Sequence, residues 1–246
     1  MKIRYCWPVF VVISVLLADL LTGCTSGAVK NNEKTPLVVF AAGSLIIPFD
    51  HLEKGFEARY PNIDVQAEYH GSIQVIRHAT ELHKPIDVIA TADASLLPML
   101  MYSSIDPDTG KPYADWYIRF AGNRLGIAYQ PQSAYAEDIT SENWYEILSW
   151  PDVKVGLADP RFDAVGYRAL MSYALAGQKY SRPTIFTDMF NNQFTFPLGI
   201  FSDGQITTVT VPEILETRSD SHILVRGASV ELIALLEAGE IDYAFE

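Results

Sequence analysis

The chain has 246 residues, of which 49% are hydrophobic and 20% are charged, and its formal net charge at pH 7 is −12. This balance is typical of a globular protein and argues against a disordered chain. So acidic a protein repels nucleic acid and anionic lipid surfaces, and we expect no nucleic-acid partner. If the ligand is an anion, net charge cannot attract it, and local backbone donors must do so.

The first residues predict where the protein resides. Lys2 and Arg4 precede an almost uninterrupted apolar run at 9–21, which is short for a bilayer span and typical of a signal-peptide core. The run ends in Leu-Thr-Gly before Cys24, which resembles the lipobox of secreted lipoproteins. We therefore predict a lipoprotein signal peptide at 1–23, lipidation of Cys24, a flexible tether at 24–35, and a position on the extracellular face of the cell membrane. The alternative is an uncleaved transmembrane anchor.

The next hundred residues alternate between strand and helix patterns. Short apolar or alternating runs at 37–40, 63–69 and 86–90 predict strands. Between them, apolar residues recur at helical spacing. These are Leu45, Phe49, Leu52 and Phe56 in the first helix and Ile73, Ile76, Ala79 and Leu82 in the second. Strand, helix, strand, helix, strand predicts a parallel α/β sheet with right-handed connections.

A turn-rich loop at 106–112 interrupts this order, and a second series follows. We predict strands at 124–129, 153–157 and 241–245 and helices at 144–150, 167–175 and 230–236. The domain organisation expected is a first lobe at 36–120 and a second lobe at 121–246. Because the sequence stops in mid-strand at Glu246, we expect a fragment that lacks the return crossing to the first lobe.

Three loops have the character of an anion site. Gly43 and Ser44 follow the first strand, Gly71 and Ser72 follow the second, and residues 163–166 precede a helix of the second lobe. Ligands of open α/β sheets bind at the carboxyl ends of strands, where helix starts offer unpaired N–H groups and partial positive charge. The alternative is that Ser44 and Ser72 are only helix N-caps, the ordinary role of serine at such positions.

Several stretches together resemble the molybdate- and tungstate-binding proteins of ABC importers, and most closely their archaeal branch. The stretches are 39–45, 71–72, 87–93, 113–117, 143–145, 152–154, 166–168 and 230–232. Each is weak alone, but their order and spacing are specific. The resemblance runs from about Leu37 to Glu246 and implies a two-lobed, type II periplasmic-binding-protein fold that closes over one oxyanion.

The resemblance also implies the ligands. Hydroxyl and backbone donors map onto Ser44 and Ser72, and further backbone donors map onto Ala164, Val165 and Gly166. In the archaeal branch two carboxylates ligate the metal of the oxyanion, and the matching positions are Asp163 and Glu231. The register at Glu231 stays open, because the neighbouring Ser229 lies where relatives carry an acid. The resemblance implies that the partner is an ABC importer permease. It also implies that the protein is a monomer and has no cofactor.

Both acids have ordinary alternatives, Asp163 as a loop cap and Glu231 as a first-turn acid favoured by the helix dipole. As ligands, they would favour tungsten or molybdenum, which accept extra oxygen atoms, and repel sulfate. The rival functions are a sulfate- or phosphate-binding protein and an extracellular enzyme on the same fold. The five histidines show no metal-ligand spacing, and no nucleophile with its base is evident.

Overall fold

The structure is a computed structural model that describes residues 34–246. The predicted signal peptide at 1–23, the lipidated Cys24 and most of the predicted tether lie outside the described residues. The tether was predicted to reach residue 35, but Thr35 is already the first residue of a strand. In the described part of the chain, no helix has the length and apolar character needed to cross a membrane.

The first sheet has the order β2-β1-β3, with β1 at Thr35–Ala42, β2 at Ile63–His70 and β3 at Val88–Ala90. Strands β1 and β3 are parallel, with Val39 opposite Val88. The carboxyl end of β1 is buried, whereas its start is exposed. The loop that follows β1 therefore begins in the interior of the protein. The predicted parallel arrangement of the first and third strands is confirmed.

Three helices follow these strands, namely α1 at Ile46–Arg59, α2 at Ser72–Thr80 and α3 at Leu96–Leu100. Helix α2 buries Val75, Ile76 and Ala79. Helix α1 forms where predicted, but it has no buried residue, and Leu52 is 59% exposed on its apolar stripe. Apolar periodicity thus predicted the helix correctly without predicting burial of its apolar face, which depends on what packs against it.

The second sheet has the order β4-β9-β5-β8. Its strands are β4 at Ile127–Tyr129, β5 at Val155–Ala158, β8 at Ile223–Arg226 and β9 at Tyr243–Phe245. Strand β5 is parallel to both β8 and β9, and β4 pairs antiparallel with β9. Since β5 lies between two parallel partners, all four of its residues are buried, as expected of an inner strand.

The main hydrophobic core surrounds this second sheet. Its helices are α4 at Trp144–Ile147, α5 at Ala164–Lys179, α6 at Ile185–Phe190 and α7 at Ser229–Glu237. Tyr173, Tyr243 and Phe186 are among its largest fully buried side chains. Aromatic contacts stabilise the packing of its helices. An example is the edge-on pair of Trp144 in α4 and Tyr173 in α5, with 4.9 Å between ring centres.

Sequence patterns did not predict α6, β8 or the antiparallel hairpin formed by β6 at Gly199–Ser202 and β7 at Thr207–Thr210. A signal for the hairpin was present. Asp203 is followed by Gly204, whose φ is +90°, and such Asp-Gly turns favour hairpins because glycine adopts positive φ without strain.

Residues from both sheet regions meet in a smaller cluster. Ile76, Leu96 and Met101 from the first region pack with Ala164 at the start of α5. Residues 36–246 form one compact unit that contains both sheets. The lobe boundary at 120–121 stays a prediction.

Candidate functional site

The loop after β1 is a single 3-10 turn at Gly43–Leu45. It brings Gly43 against the first turn of α7, because a β-carbon at Gly43 would lie 3.2 Å from Val230 Cβ. Ser44 is exposed on this turn and no side-chain cap stabilises it. Its hydroxyl is therefore accessible, and the N-cap alternative for Ser44 is not what the structure contains.

The loop after β2 approaches the second sheet region still more closely. A β-carbon at Gly71 would lie 2.5 Å from the carbonyl oxygen of Phe162, so only glycine fits without a backbone shift. Two first-turn amides of α2, from Ile73 and Gln74, donate to that same oxygen at 3.0 and 3.1 Å. Phe162 thus satisfies helix-start donors that would otherwise be unpaired.

Ser72 is fully buried as the first residue of α2, where Gly71 is the N-cap. Its hydroxyl oxygen accepts from the Ala92 amide at 3.1 Å. A hydroxyl that accepts one hydrogen bond keeps its own proton to donate. Ser72 consequently ties the loop after β3 to α2 and retains a donor, which differs from the N-cap role considered from the sequence.

Asp163 links the starts of two helices. It is the N-cap of α5, with Oδ1 accepting from the Val165 amide at 3.1 Å, and its Oδ2 accepts from the Ser229 amide at the start of α7 at 2.8 Å. The cap predicted as the ordinary alternative is thus present. The Ser229 side chain and the Ala164 amide also lie close enough to favour the ionised carboxylate.

The rest of the predicted donor loop forms the first turn of α5. Ala164 and Val165 are buried, and a β-carbon at Gly166 would lie 2.2 Å from the Ala158 carbonyl oxygen. This absence of a side chain lets the helix start sit directly over the end of β5. The positive end of the α5 dipole therefore lies beside Asp163.

The two predicted carboxylates have different surroundings. Glu231 lies in the first turn of α7 and is exposed, as the first-turn alternative predicted. Ser229, at the position where the register was open, is 3% exposed and contacts Asp163 through its amide. The structure thus brings Ser229 and Asp163 together and leaves the Glu231 carboxylate toward solvent.

Sequence reasoning missed a half-buried acid in the same place. Glu246 follows β9, and two backbone hydrogen bonds with Gly126 fix its main chain. Its side chain bonds Ser229 and lies within electrostatic reach of Asp163, while its Oε2 is buried without a hydrogen-bond partner. The position of Glu246 directly after a predicted strand was a signal in the sequence. Its closeness to Asp163, however, follows only from the pairing of β5 with β9.

Both buried acids resist ionisation in this site. Burial raises the pKa of Asp163 above its ordinary value, although the Ser229 and Val165 amides oppose the shift. Burial likewise raises the pKa of Glu246, with the Ser229 hydrogen bond opposing and the Asp163 charge adding to the rise. Among the described residues, no cation lies against either carboxyl group to compensate its charge. Two such groups can together provide oxygen ligands to a metal centre.

The nearby cations already have partners. Arg168 forms an ion pair with Asp93, and Tyr167 donates to the same carboxylate at 2.5 Å. Burial raises the pKa of Asp93, but the Tyr167, Arg168 and Ser95 hydrogen bonds outweigh it and hold the pKa well below its usual range. Arg161 pairs with Asp159. An anion here would therefore depend on helix starts and hydroxyl groups.

Comparison with known proteins identifies the family. Residues 37–245 match the family model described as bacterial extracellular solute-binding protein. The chain belongs to this family. The family consists of solute-binding proteins that act outside the cytoplasm, so the extracytoplasmic part of the predicted location is confirmed.

Two relatives illustrate the similarity. An uncharacterized solute-binding protein of Methanococcus maripaludis is 37% identical, in an alignment that covers 96% of this chain and 67% of the length of that relative. The molybdate/tungstate-binding protein WtpA of Thermococcus kodakarensis is 34% identical, in an alignment that covers 94% of this chain and 64% of the length of WtpA. This solute-binding protein thus spans about two thirds of the length of the curated relatives that it matches.

Solved structures agree on the fold. The sulfate-binding protein SubI of Mycobacterium tuberculosis aligns with a TM-score of 0.56 and 15% identity, over 86% of this chain and 64% of that one. The predicted type II periplasmic-binding-protein fold is confirmed. At this identity the similarity says nothing about which solute is bound.

Proposed function

We propose that this solute-binding protein captures tungstate or molybdate and delivers it to an ABC importer from a lipid anchor on the extracellular face. The observation that carries the proposal is the convergence of three helix starts on Asp163. Gly71 before α2, Asp163 before α5 and Ser229 of α7 are in mutual contact through Asp163. The 34% identity to WtpA supports the same solute.

The oxyanion oxygens are bound by neutral donors. Helix starts provide partial positive charge, and the hydroxyl groups of Ser44 and Ser72 provide hydrogen-bond donors. Hydrogen bonds to a charged group contribute about 1.5–3 kcal/mol each. Such a site binds an anion although the chain itself is acidic, because the donors act at contact distance where screening is weak.

Asp163 and a second carboxylate supply selectivity. Tungsten(VI) and molybdenum(VI) accept additional oxygen ligands, whereas the sulfur of sulfate does not, so the same carboxylates attract the first pair and repel the second. We propose Glu246 as the second ligand, because its half-buried side chain lies beside Asp163 and Ser229 and its Oε2 has no hydrogen-bond partner among the described residues. Glu231 remains the alternative from the sequence, and matched variants separate the two.

Thermal unfolding of the full-length mature protein tests the function. Parent protein is melted with tungstate, molybdate, sulfate and phosphate at equal concentrations. A ligand at a thousandfold its dissociation constant stabilises by about 4 kcal/mol, so tungstate and molybdate should raise the melting temperature while sulfate and phosphate leave it unchanged. Stabilisation by sulfate or phosphate instead would assign a different oxyanion, and no shift with any of the four would contradict an oxyanion function.

A further inference from the structure

Three potential metal ligands lie together on the first sheet region. Glu68 and His70 are two residues apart on β2, so their side chains point to the same face of the strand. His78 lies on α2, which packs beside that face. One ligand atom from each of the three residues lies within 4.8 Å of the other two.

The spacing suits one small divalent ion. His70 Nε2 and Glu68 Oε2 are 3.4 Å apart. Ligands about 2.0–2.2 Å from a tetrahedral zinc ion are separated by roughly 3.3–3.5 Å, which this pair already satisfies. The imidazole rings of His70 and His78 meet edge-on at 4.6 Å between centres, so a small side-chain rotation brings the third ligand into range.

The surroundings support ligation rather than ordinary packing. His78 Nδ1 is buried and has no hydrogen-bond partner, which is uncommon for a polar atom in a folded protein. The ring of Phe40 packs against both imidazoles, at 5.7 Å from His70 and 5.2 Å from His78, and limits their freedom. Two imidazoles and one carboxylate form a donor set that zinc and its neighbours in the first transition row prefer.

One cation competes for the carboxylate. The ammonium group of Lys84 lies 3.7 Å from Glu68 Oε2 and 4.9 Å from the centre of the Phe40 ring. It partly neutralises Glu68 in the absence of a metal ion and would be displaced or repelled by one. Removing its charge should therefore strengthen metal binding, a response that ordinary packing of the histidines does not predict.

We propose that Glu68, His70 and His78 bind one divalent transition-metal ion of the zinc class. His70 immediately precedes Gly71, and His78 lies in the helix that starts at Ser72, so the ion would join β2 to α2 across the loop that carries Ser72. This site was not predicted from the sequence, since its three residues come from a strand and a helix and show none of the spacings typical of zinc sites.

Isothermal titration of metal-free, full-length protein with zinc tests this site, with the protein purified without a polyhistidine tag. The parent should bind one zinc ion per chain, and cobalt bound there should show the visible absorption of a tetrahedral nitrogen–oxygen site. Glu68→Gln and His70→Gln should each lower the zinc association constant by more than about tenfold, since even indirect changes around metal ligands cost about 10–100-fold.

Two further variants keep the result interpretable. Lys84→Gln should raise the association constant, and His51→Gln, which changes an exposed histidine on α1, should leave it unchanged. Glu68 is itself exposed, so its variant should fold normally, and circular dichroism checks that it does. Absence of one-to-one zinc binding by the parent, or binding by Glu68→Gln and His70→Gln as tight as that of the parent, would overturn the proposal.

Discussion

Asp163 connects the starts of two helices and is also the residue that we propose as a ligand of the metal. Its two oxygens each accept one backbone amide, which fixes the starts of α5 and α7 relative to each other. Its burial raises its pKa despite these bonds, so its charge is not fully compensated by the protein. A carboxylate held this rigidly has little conformational freedom to lose when a ligand binds, which favours the role that we propose for it.

The identity of the second carboxylate is tested by a matched pair of conservative variants. Glu246→Gln should weaken tungstate binding by at least about 1.4 kcal/mol, or tenfold, because it removes a buried charge beside Asp163. Glu231→Gln changes an exposed acid and should weaken binding by less than a few tenths of a kcal/mol. Titration calorimetry of both with tungstate measures the difference. The reverse order of effects would assign the role to Glu231.

The raised pKa of Glu246 also predicts a pH dependence. A group whose folded-state pKa lies above its unfolded value stabilises the fold while protonated, and this contribution is lost as pH rises through the folded pKa. Relative to the parent, ligand-free Glu246→Gln should therefore gain stability as the pH rises above the ordinary pKa of glutamate, because it has no charge to bury. Urea unfolding at a series of pH values measures the gain. A difference that does not change with pH would contradict the burial of Glu246.

The two serines should respond differently to loss of their hydroxyl groups. Ser72→Ala leaves the Ala92 amide without its acceptor, so it should lower stability by about 1–3 kcal/mol and also weaken tungstate binding. Ser44 is exposed on its turn, so Ser44→Ala should leave the melting temperature unchanged and weaken binding by about 1.5–3 kcal/mol. Melting curves with and without tungstate separate the effects. Unchanged affinity in both variants would exclude these loops from the site.

At the scale of elements, the loop after β2 packs tightly against the second sheet region, with Gly71 against the carbonyl oxygen of Phe162. Gly71→Ala would place a β-carbon against a backbone oxygen, so it should destabilise by about 1–3 kcal/mol and reduce tungstate affinity by shifting the start of α2. Gly55→Ala is the matched control, because nothing lies within 4 Å of a β-carbon there and alanine favours a helix interior. Unfolding and titration of both variants test this. Equal behaviour would mean that the approach is not tight in solution.

Periodicity predicted the elements better than their environments. The first three strands and the helices α1 and α2 follow their apolar spacing closely, since local pattern alone decides whether such segments form. The exposure of Leu52 on α1 was not predictable, because burial depends on segments far away in sequence. Strand β8 was not predicted; it consists of three apolar residues followed by Arg226.

The closeness of the predicted loops could be anticipated in part. The rule that ligands bind at strand ends selected the loops at Gly43, Gly71 and Asp163, and the structure places them close to the starts of α5 and α7. That these loops bind the ligand stays a prediction. Glu246 was missed because it follows β9 whereas Asp163 follows β5, and these neighbouring strands carry residues 83 positions apart in the chain. No local pattern marks such a pair. The Glu68, His70 and His78 cluster escaped likewise.

At the scale of the whole molecule, the two sheet regions are joined by few but specific contacts. The ion pair of Arg168 with Asp93 and the bond from Tyr167 to the same carboxylate link the loop after β3 to α5. With Gly71 against Phe162, these contacts hold the predicted lobes together around Asp163. Because the chain spans about two thirds of its relatives' length, the functional tests belong to the full-length protein.

X-ray absorption at the tungsten edge, measured on the full-length protein with tungstate bound, tests the central claim most directly. If Asp163 and a second carboxylate ligate the metal, the spectrum should show six oxygen neighbours, and Asp163→Ala should abolish tungstate binding while sulfate binding stays flat or rises. Hydrogen bonding alone would leave the anion tetrahedral. A spectrum with four oxygen neighbours in the parent protein would contradict the proposal that carboxylates select the metal.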